Sequence, residues 1–190
     1  MDHDEARTRI LDAAEKLFYE RGVQSVGMDE LRAAAGVSLK RLYQCFPAKH
    51  DLVEASLRRR DTRWRTALAA YVTDHADTPG ARPLAVFDWL HDWFSAPDFR
   101  GCAFINSFGE LGATSDGVAR VAREHKSALL SYLTDLARDA EVTEPASVGR
   151  QLALLVDGAI TTAAITGAPS AARQARTAAA TLLVAGTSGG

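Results

Sequence analysis

Residues 27–52, GMDELRAAAGVSLKRLYQCFPAKHDL, predict two short helices around a tight turn and the start of a third helix. The first helix is expected over 28–35 and ends at Gly36, the residue type that most readily adopts the left-handed conformation after a helix. Ser38 can cap a second helix over 39–46, which a proline then terminates. Two helices joined by a short turn that contains Gly are typical of a helix-turn-helix, which reads the DNA major groove.

The second predicted helix carries polar side chains on the faces that do not meet the core. Leu42 and Phe46 are four residues apart and are expected to face the core with Val37. The other side chains suit DNA, because Arg and Lys contact guanine edges or phosphates, Gln pairs with adenine, and a Tyr hydroxyl suits a phosphate oxygen. The alternative is a solvated basic face on an ordinary small helix. The predicted DNA-binding residues are Met28, Ser38, Leu39, Lys40, Arg41, Tyr43, Gln44 and Lys49, the last as a phosphate contact.

This stretch and the helix before it resemble the TetR/AcrR family of one-component transcriptional repressors. The chain departs from the common family pattern at Arg32 and Leu39. The resemblance implies an N-terminal DNA-binding domain of three helices at 1–50 and a C-terminal helical ligand-binding and dimerisation domain at 51–190. The residues that carry it are Ile10, Leu11, Ala13, Ala14, Leu17, Phe18, Gly22, Met28, Leu31, Ala35, Gly36, Val37, Ser38, Leu42, Tyr43, Phe46, Lys49 and Leu52.

Length and charge agree with this interpretation. A chain of 190 residues that is 47% hydrophobic can bury a substantial core and suits one two-part unit. The net charge of −2 argues against a general nucleic-acid coat, but it divides into +1 over 1–60 and −3 over the remainder. This asymmetry is compatible with a local basic surface on an otherwise acidic protein.

Other classes of protein are disfavoured by missing motifs. Cys45 and Cys102 give neither metal-ligand spacing nor a disulfide framework. The five histidines are scattered over different predicted helices, and no HExxH, GxSxG or phosphate-loop motif occurs, so neither an enzyme nor a metal or cofactor site is predicted. With no N-terminal signal core and no apolar run near 18 residues, we expect a cytoplasmic protein without a membrane partner.

Helical periodicity continues through the rest of the chain, and no segment is typical of a sheet. A turn is expected at 77–83, where DTPGARP combines Pro and Gly, and GTSGG at 186–190 is expected to be flexible. The helix that follows Pro47 would span about 40 Å and connect the two domains. The predicted fold class is therefore all-α, with about nine helices. The helices not yet named are expected over 5–21, 47–75, 84–95, 102–112, 115–139, 146–166 and 170–185.

The resemblance also implies a cavity for a small-molecule effector in the C-terminal domain. Aromatic residues with a few polar groups are the general composition of such pockets, which favours a hydrophobic or aromatic effector. The alternative for each residue is an ordinary place in the core or on the surface, and the face shared by Cys102, Asn106 and Glu110 suits either pocket or helix packing. Cys102 could instead sense oxidants. The predicted ligand-binding residues are Trp64, Tyr71, Trp89, Trp93, Phe94, Phe99, Cys102, Phe104, Asn106, Phe108, Glu110 and His125.

The last two predicted helices carry the dimerisation hypothesis. In the family these helices form a four-helix interface, and two recognition helices about 34 to 36 Å apart read successive major grooves of a palindrome. The alternative is that their apolar stripes are internal core. The predicted interface residues are Leu152, Leu155, Val156, Ala159, Ile160, Ala163, Ala175, Ala179, Leu182 and Leu183.

The sequence therefore predicts a ligand-responsive transcriptional regulator. It is expected to bind a palindromic double-stranded DNA operator as a homodimer, to act as a repressor, and to be released by a small molecule. The alternative function is a ligand- or protein-binding helical module in which DNA binding is weakened or lost.

Overall fold

The structure, a computed structural model, describes residues 2–187 and is built from α-helices with no strand in that range. The nine predicted helices are confirmed, with ends that differ by at most a few residues. They are α1 His3–Arg21, α2 Met28–Ala35, α3 Leu39–Cys45, α4 Lys49–His75, α5 Arg82–Phe94, α6 Ala103–Leu111, α7 Asp116–Asp139, α8 Pro145–Thr166 and α9 Ser170–Thr187, and a 3-10 turn at Pro79–Ala81 precedes α5.

Two of these ends correct the sequence prediction. Helix α5 begins within the predicted turn at 77–83, because Pro83 lies in its first turn, where the missing N–H of proline is not needed. The prediction that 186–190 is flexible is wrong for Gly186 and Thr187, which belong to α9, and the carbonyl of Gly186 accepts the backbone N–H of Thr143 at 3.0 Å. Residues 188–190 lie outside the described residues.

The turn between α2 and α3 is built as the sequence predicted. Gly36 has a φ of 65°, in the left-handed region, and its N–H donates to the carbonyl of Ala33. The N–H of Val37 donates to the carbonyl of Arg32, which completes a Schellman motif at the end of α2. Ser38 then caps α3, since its Oγ accepts the backbone N–H of Arg41 at 3.1 Å.

The chain divides into two compact units. The first contains Met1–Arg63 with Ala103–His125, and the second contains Trp64–Cys102 with Lys126–Gly190. Both boundaries near residues 63 and 125 fall inside long helices, α4 and α7. The predicted assignment of DNA binding to 1–50 and of ligand binding to 51–190 is a division of function and stays a prediction.

The first unit has a hydrophobic core built around α1, α2 and α3. Ile10, Leu31 and Leu42 are fully buried, and Phe46 and Val37 join them, as the helical spacing predicted. Because each of these three helices buries one side against the other two, the remaining faces of α2 and α3 are left to solvent.

In the second unit, α5, α8 and α9 pack against one another. Alanines such as Ala172 and Ala179, both fully buried, allow the helices to approach closely around Phe87. Helix α8 is long and apolar enough to span a membrane by length and composition, which corrects the expectation that no such stretch exists. That likeness is weak, since core helices of soluble proteins pass the same test, and Asp157 within α8 forms an ion pair with Lys126.

Candidate DNA-binding site

Helix α3 presents an exposed face that combines apolar, aromatic and polar side chains. Leu39 is 39% exposed and Tyr43 is 45% exposed, and they lie four residues apart on the same side of the helix. Lys40 and Gln44 form a second exposed pair at the same spacing. The structure therefore places four of the predicted DNA-binding residues together on the solvent side of one short helix.

Three further predicted DNA-binding residues support this face from its edges. Ser38 is exposed and caps the helix, as described above. Arg41 is half-buried and its guanidinium lies 3.4 Å from Oε1 of Gln44, which directs both side chains toward one edge of α3. Met28 is half-buried and packs on the core of the first unit, so its main contribution is to hold α2 in place.

Lys49 lies in a different environment from the one predicted. It is half-buried at the start of α4, and its Nζ donates to the carbonyl oxygen of Val23 at 2.6 Å. Burial lowers the pKa of this ammonium, and the nearby carboxylate of Glu110 opposes that shift only in part. The structure therefore gives Lys49 a partner inside the chain, and its predicted phosphate contact stays a prediction.

Helix α2 carries a charge pair of its own. Arg32, at a position where the chain departs from the common family pattern, donates from Nε to Asp29 at 2.9 Å, one turn earlier on the helix. Both side chains are exposed, so this pair contributes little to stability. It does neutralise much of the positive charge that Arg32 would otherwise add beside α3.

Most of the predicted ligand-binding aromatics form a cluster in the second unit. The rings of Trp64 and Trp89 meet edge to face with centroids 5.0 Å apart, and Trp93 lies 5.5 Å from Trp89. Phe99 contacts Trp93 edge to face at 5.1 Å and Phe94 at 4.8 Å. The three tryptophans are only half-buried, so the cluster leaves aromatic surface on the outside of its unit.

Two other predicted ligand-binding residues lie in the same unit. The hydroxyl of Tyr71 donates to Asp92 at 3.3 Å, and its pKa is raised, first by burial and then by the carboxylates of Asp92 and Asp88. Cys102 is 6% exposed, and its Sγ lies 3.9 Å from the Nζ of Lys126. An oxidant-sensing role for Cys102 stays an untested prediction.

The remaining predicted ligand-binding residues lie in the first unit and differ in their burial and their contacts. His125 is 2% exposed, stacks on Phe104 with ring centroids 3.7 Å apart, and pairs through Nδ1 with Asp61 at 2.7 Å. Phe108 is 49% exposed. Glu110 binds the backbone of the turn between α1 and α2, which sequence reasoning missed because the two segments are 86 residues apart.

A cavity lies between α1, α4 and α6 in the first unit. Its empty volume is about 350 Å³, much of it open solvent, so the enclosed part is small. Of the predicted ligand-binding residues, Asn106 is the one among its lining side chains, and α4 contributes apolar and hydroxyl groups that no motif indicated. The lining residues are Glu15, Phe18, Tyr19, Val53, Ser56, Leu57, Arg60, Ala103, Asn106 and Ser107.

Most of the residues predicted for the dimer interface are buried within their own chain, and the interface itself stays a prediction. Leu152, Val156, Ala159, Ile160, Ala163, Ala175, Ala179 and Leu183 are all buried within a single chain, while Leu155 and Leu182 are half-buried. The outward faces carry other large apolar residues. Leu154 is 74% exposed and Ile165 79% exposed on α8, and Val184 is 66% exposed on α9.

The helix-turn-helix and its exposed α3 face define the class of the protein, a DNA-binding transcriptional regulator. Within residues 2–187 no group of three or more His, Cys, Asp or Glu side chains is arranged to hold a metal ion.

The family model described as "Bacterial regulatory proteins, tetR family" matches residues 10–56, which contain α2, α3 and most of α1.

Similarity to known proteins extends along the whole chain. An uncharacterized HTH-type transcriptional regulator of Mycobacterium tuberculosis, Rv1255c, is 31% identical over 86% of this chain and 92% of its own length. The crystal structure of SCO4454, a TetR-family transcriptional regulator from Streptomyces coelicolor, superimposes with a TM-score of 0.85 at 29% identity and covers 97% of both chains. The transcriptional activator FasR of Mycolicibacterium smegmatis is 38% identical over 48% of this chain and 44% of its own length.

The chain belongs to the TetR family of transcriptional regulators. This family consists of soluble DNA-binding proteins that act as dimers and are not enzymes. The predicted fold class is confirmed with it, because the all-helical architecture matches the TetR fold.

Proposed function

We propose that this protein is a cytoplasmic, effector-responsive repressor that reads a palindromic DNA operator as a homodimer. The observation that carries the proposal is the exposed face of α3, with Lys40, Tyr43 and Gln44 directed to solvent beside Arg41. These side chains supply the donors that guanine, adenine and phosphate oxygens accept. Repression is the expected direction of regulation because the sequence resembles repressors, although FasR, which is similar over 48% of the chain, is named an activator.

The homodimer is proposed to form through the outward faces of α8 and α9 in place of the residues predicted from sequence. Leu154 and Ile165 are eleven residues apart, close to three helical turns, so they share one face of α8. Both are more than two-thirds exposed, and large apolar side chains grouped on one exposed face are typical of an interaction surface. A dimer is also what operator reading requires, since one helix of seven residues contacts few bases.

The effector is proposed to be a hydrophobic or aromatic small molecule that contacts the aromatic cluster of the second unit. The three tryptophans of this cluster, Trp64, Trp89 and Trp93, are half-buried. Their ring centroids lie 5.0 to 5.8 Å apart. An effector shifts DNA binding only by its differential affinity for the DNA-competent and released states, and a coupling of roughly 1 to 3 kcal/mol changes operator affinity about 5- to 150-fold.

The test of DNA binding begins with duplexes that the protein itself selects from a random pool. We expect a two-fold symmetric sequence whose half-sites lie about 10 base pairs apart. Replacing Arg41 or Tyr43 by Ala should then weaken binding to the selected duplex about tenfold or more, because a specific base or phosphate contact is worth roughly 1 to 3 kcal/mol.

The matched control is Arg138→Ala, which removes an exposed arginine from the last turn of α7, outside the proposed dimer faces. It should leave binding to the selected duplex unchanged. If no sequence is enriched and none of these substitutions alters DNA affinity, the protein is a ligand- or protein-binding module without DNA reading, and the proposal is wrong.

A further inference from the structure

The carboxylate of Glu110, in the last turn of α6, lies against the turn that joins α1 to α2. Its Oε1 accepts the backbone N–H of Val23 at 3.0 Å, and its Oε2 accepts the backbone N–H of Gln24 at 2.7 Å. In return, the side-chain amide of Gln24 donates to the backbone carbonyl of Glu110 at 2.8 Å. Successive backbone N–H groups in a turn form a concavity that binds an anion, and here the anion is a side chain from a distant helix.

Gly22 makes this contact possible in two ways. Its φ of 83° lies in the region that side-chain-bearing residues rarely adopt. A Cβ at this position would also lie 3.1 Å from Oε1 of Glu110, closer than ordinary van der Waals contact. The glycine therefore both turns the chain after α1 and opens space for the carboxylate.

The opposite side of the same peptide is held by α4. The N–H of Val23 donates to the carboxylate of Glu110, while the carbonyl of Val23 accepts a hydrogen bond from the ammonium of Lys49. Val23 is 2% exposed, so these two polar groups have little access to water and depend on their protein partners. The turn that precedes α2 is thus fixed from both sides, by one charged group from α6 and one from α4.

Helix α6 packs on the first unit through the buried Phe104, but its packing leaves a small cavity. The cavity between α1, α4 and α6 is lined by Phe18, Leu57 and Ser107, and Ser107 lies one turn before Glu110 on the same face of α6. The hydrogen bonds between Glu110 and residues 23 and 24 add a polar connection between α6 and the turn.

We propose that Glu110 is a positioning residue for DNA reading, which acts through the backbone of Val23 and Gln24 to fix the start of α2 and with it α3. This inference rests on the proposed function, since it assigns part of the DNA affinity to a residue far from the reading face. Without the carboxylate, the turn must be ordered when DNA binds, and that conformational entropy reduces affinity.

The main experiment compares Glu110→Ala with Glu124→Ala. Glu124 is also a carboxylate of the first unit, is exposed, and pairs with Arg58 at 2.6 Å, so the two variants change net charge equally. At a temperature where circular dichroism shows both proteins folded, Glu110→Ala should bind the selected duplex about tenfold or more weakly, since hydrogen bonds to a charged group contribute roughly 1.5 to 3 kcal/mol. Glu124→Ala should bind as the unmodified protein does.

Hydrogen exchange distinguishes a locally loosened turn from global unfolding. In Glu110→Ala the amides of Val23 and Gln24 should exchange faster while those in the middle of α1 and α3 keep their protection. The slope of binding against salt concentration should stay unchanged, because no phosphate contact is removed.

A second variant keeps the test decisive if Glu110→Ala does not fold. Gln24→Ala removes an exposed side chain and only the bond to the carbonyl of Glu110, and it should weaken binding about fivefold, as expected for one neutral hydrogen bond. The proposal is overturned if neither variant weakens operator binding beyond Glu124→Ala, or if the loss simply tracks the unfolded fraction. Failure of the unmodified protein to bind any duplex would instead refute the proposed function, and the amide exchange would still report on the contact.

Discussion

Lys49 has a partner within the chain that its position in the sequence does not reveal. A lysine after a helix-turn-helix is readily assigned to a DNA phosphate, but here its ammonium is half-buried against the carbonyl of Val23. Burial lowers its pKa more than Glu110 raises it, so desolvation is the larger effect. Lys40, by contrast, is exposed on α3 and is available to a phosphate.

These two lysines should therefore respond differently to the same substitution. Lys49→Met leaves the buried carbonyl of Val23 without its donor and should lower the free energy of unfolding by about 1 to 3 kcal/mol. Its DNA binding, measured on folded protein, should keep the same dependence on salt. Lys40→Met should leave stability unchanged and reduce the slope of log affinity against log salt by about one. Denaturant unfolding and fluorescence-anisotropy titrations at several salt concentrations measure both, and equal changes in slope would restore Lys49 as a phosphate contact.

At the scale of elements, the helix-turn-helix depends on local signals that lie close together in the chain. The left-handed Gly36, the Schellman hydrogen bonds and the Ser38 cap all follow from residues within a few positions of one another. Such signals are visible in sequence because their partners are neighbours, and the predicted bounds of α2 match the structure. The predicted helix ends are less accurate where they depend on tertiary context, as at the start of α5.

The conformation of Gly36 predicts the cost of adding a side chain. A Cβ there would come no closer than 3.9 Å to the nearest atom, so space is not the obstacle and backbone strain alone applies. Gly36→Ala should lower the free energy of unfolding by about 1 to 2 kcal/mol. The matched substitution Gly109→Ala, on an open face of α6, should raise it by up to about 1 kcal/mol, since Ala favours a helix more than Gly does. Thermal unfolding of the two variants tests this, and a shift of the same sign in both would contradict the strain argument.

At the scale of the whole molecule, burial decides which face of a helix is available to a partner. The small and apolar stripe of α8 predicted from sequence as an interface packs inside its own chain, where Leu152 and Val156 are fully buried. The opposite face exposes Leu154 and Ile165. Periodicity identifies both stripes but does not say which one faces the core, because α8 carries apolar residues on more than one side.

Placing charge on the outward face should separate the dimer. In the double variant Leu154→Arg with Ile165→Arg, two guanidinium groups would have to be desolvated in the interface, so we expect a monomer at micromolar concentration with unchanged helix content. Operator affinity should fall with it, since a single α3 reads too little DNA. Sedimentation velocity measures the mass. The control, Ser127→Arg with Ser131→Arg, adds the same charge to exposed positions of α7 and should remain dimeric; a double α8 variant that also remains dimeric would rule out this face.

Local patterns in the sequence predict the all-α class, the nine helices and the helix-turn-helix, because caps, glycines, prolines and helical periodicity act between residues near one another in the chain. The sequence also predicts an exposed surface on α3, since Leu42 and Phe46 are the core positions and Tyr43 and Gln44 lie on other faces. The contacts of Glu110 and Lys49, and the burial of one face of α8, come from the tertiary structure. Those depend on partners brought close by folding, such as a backbone turn 86 residues away from Glu110, and no local pattern records such a distance.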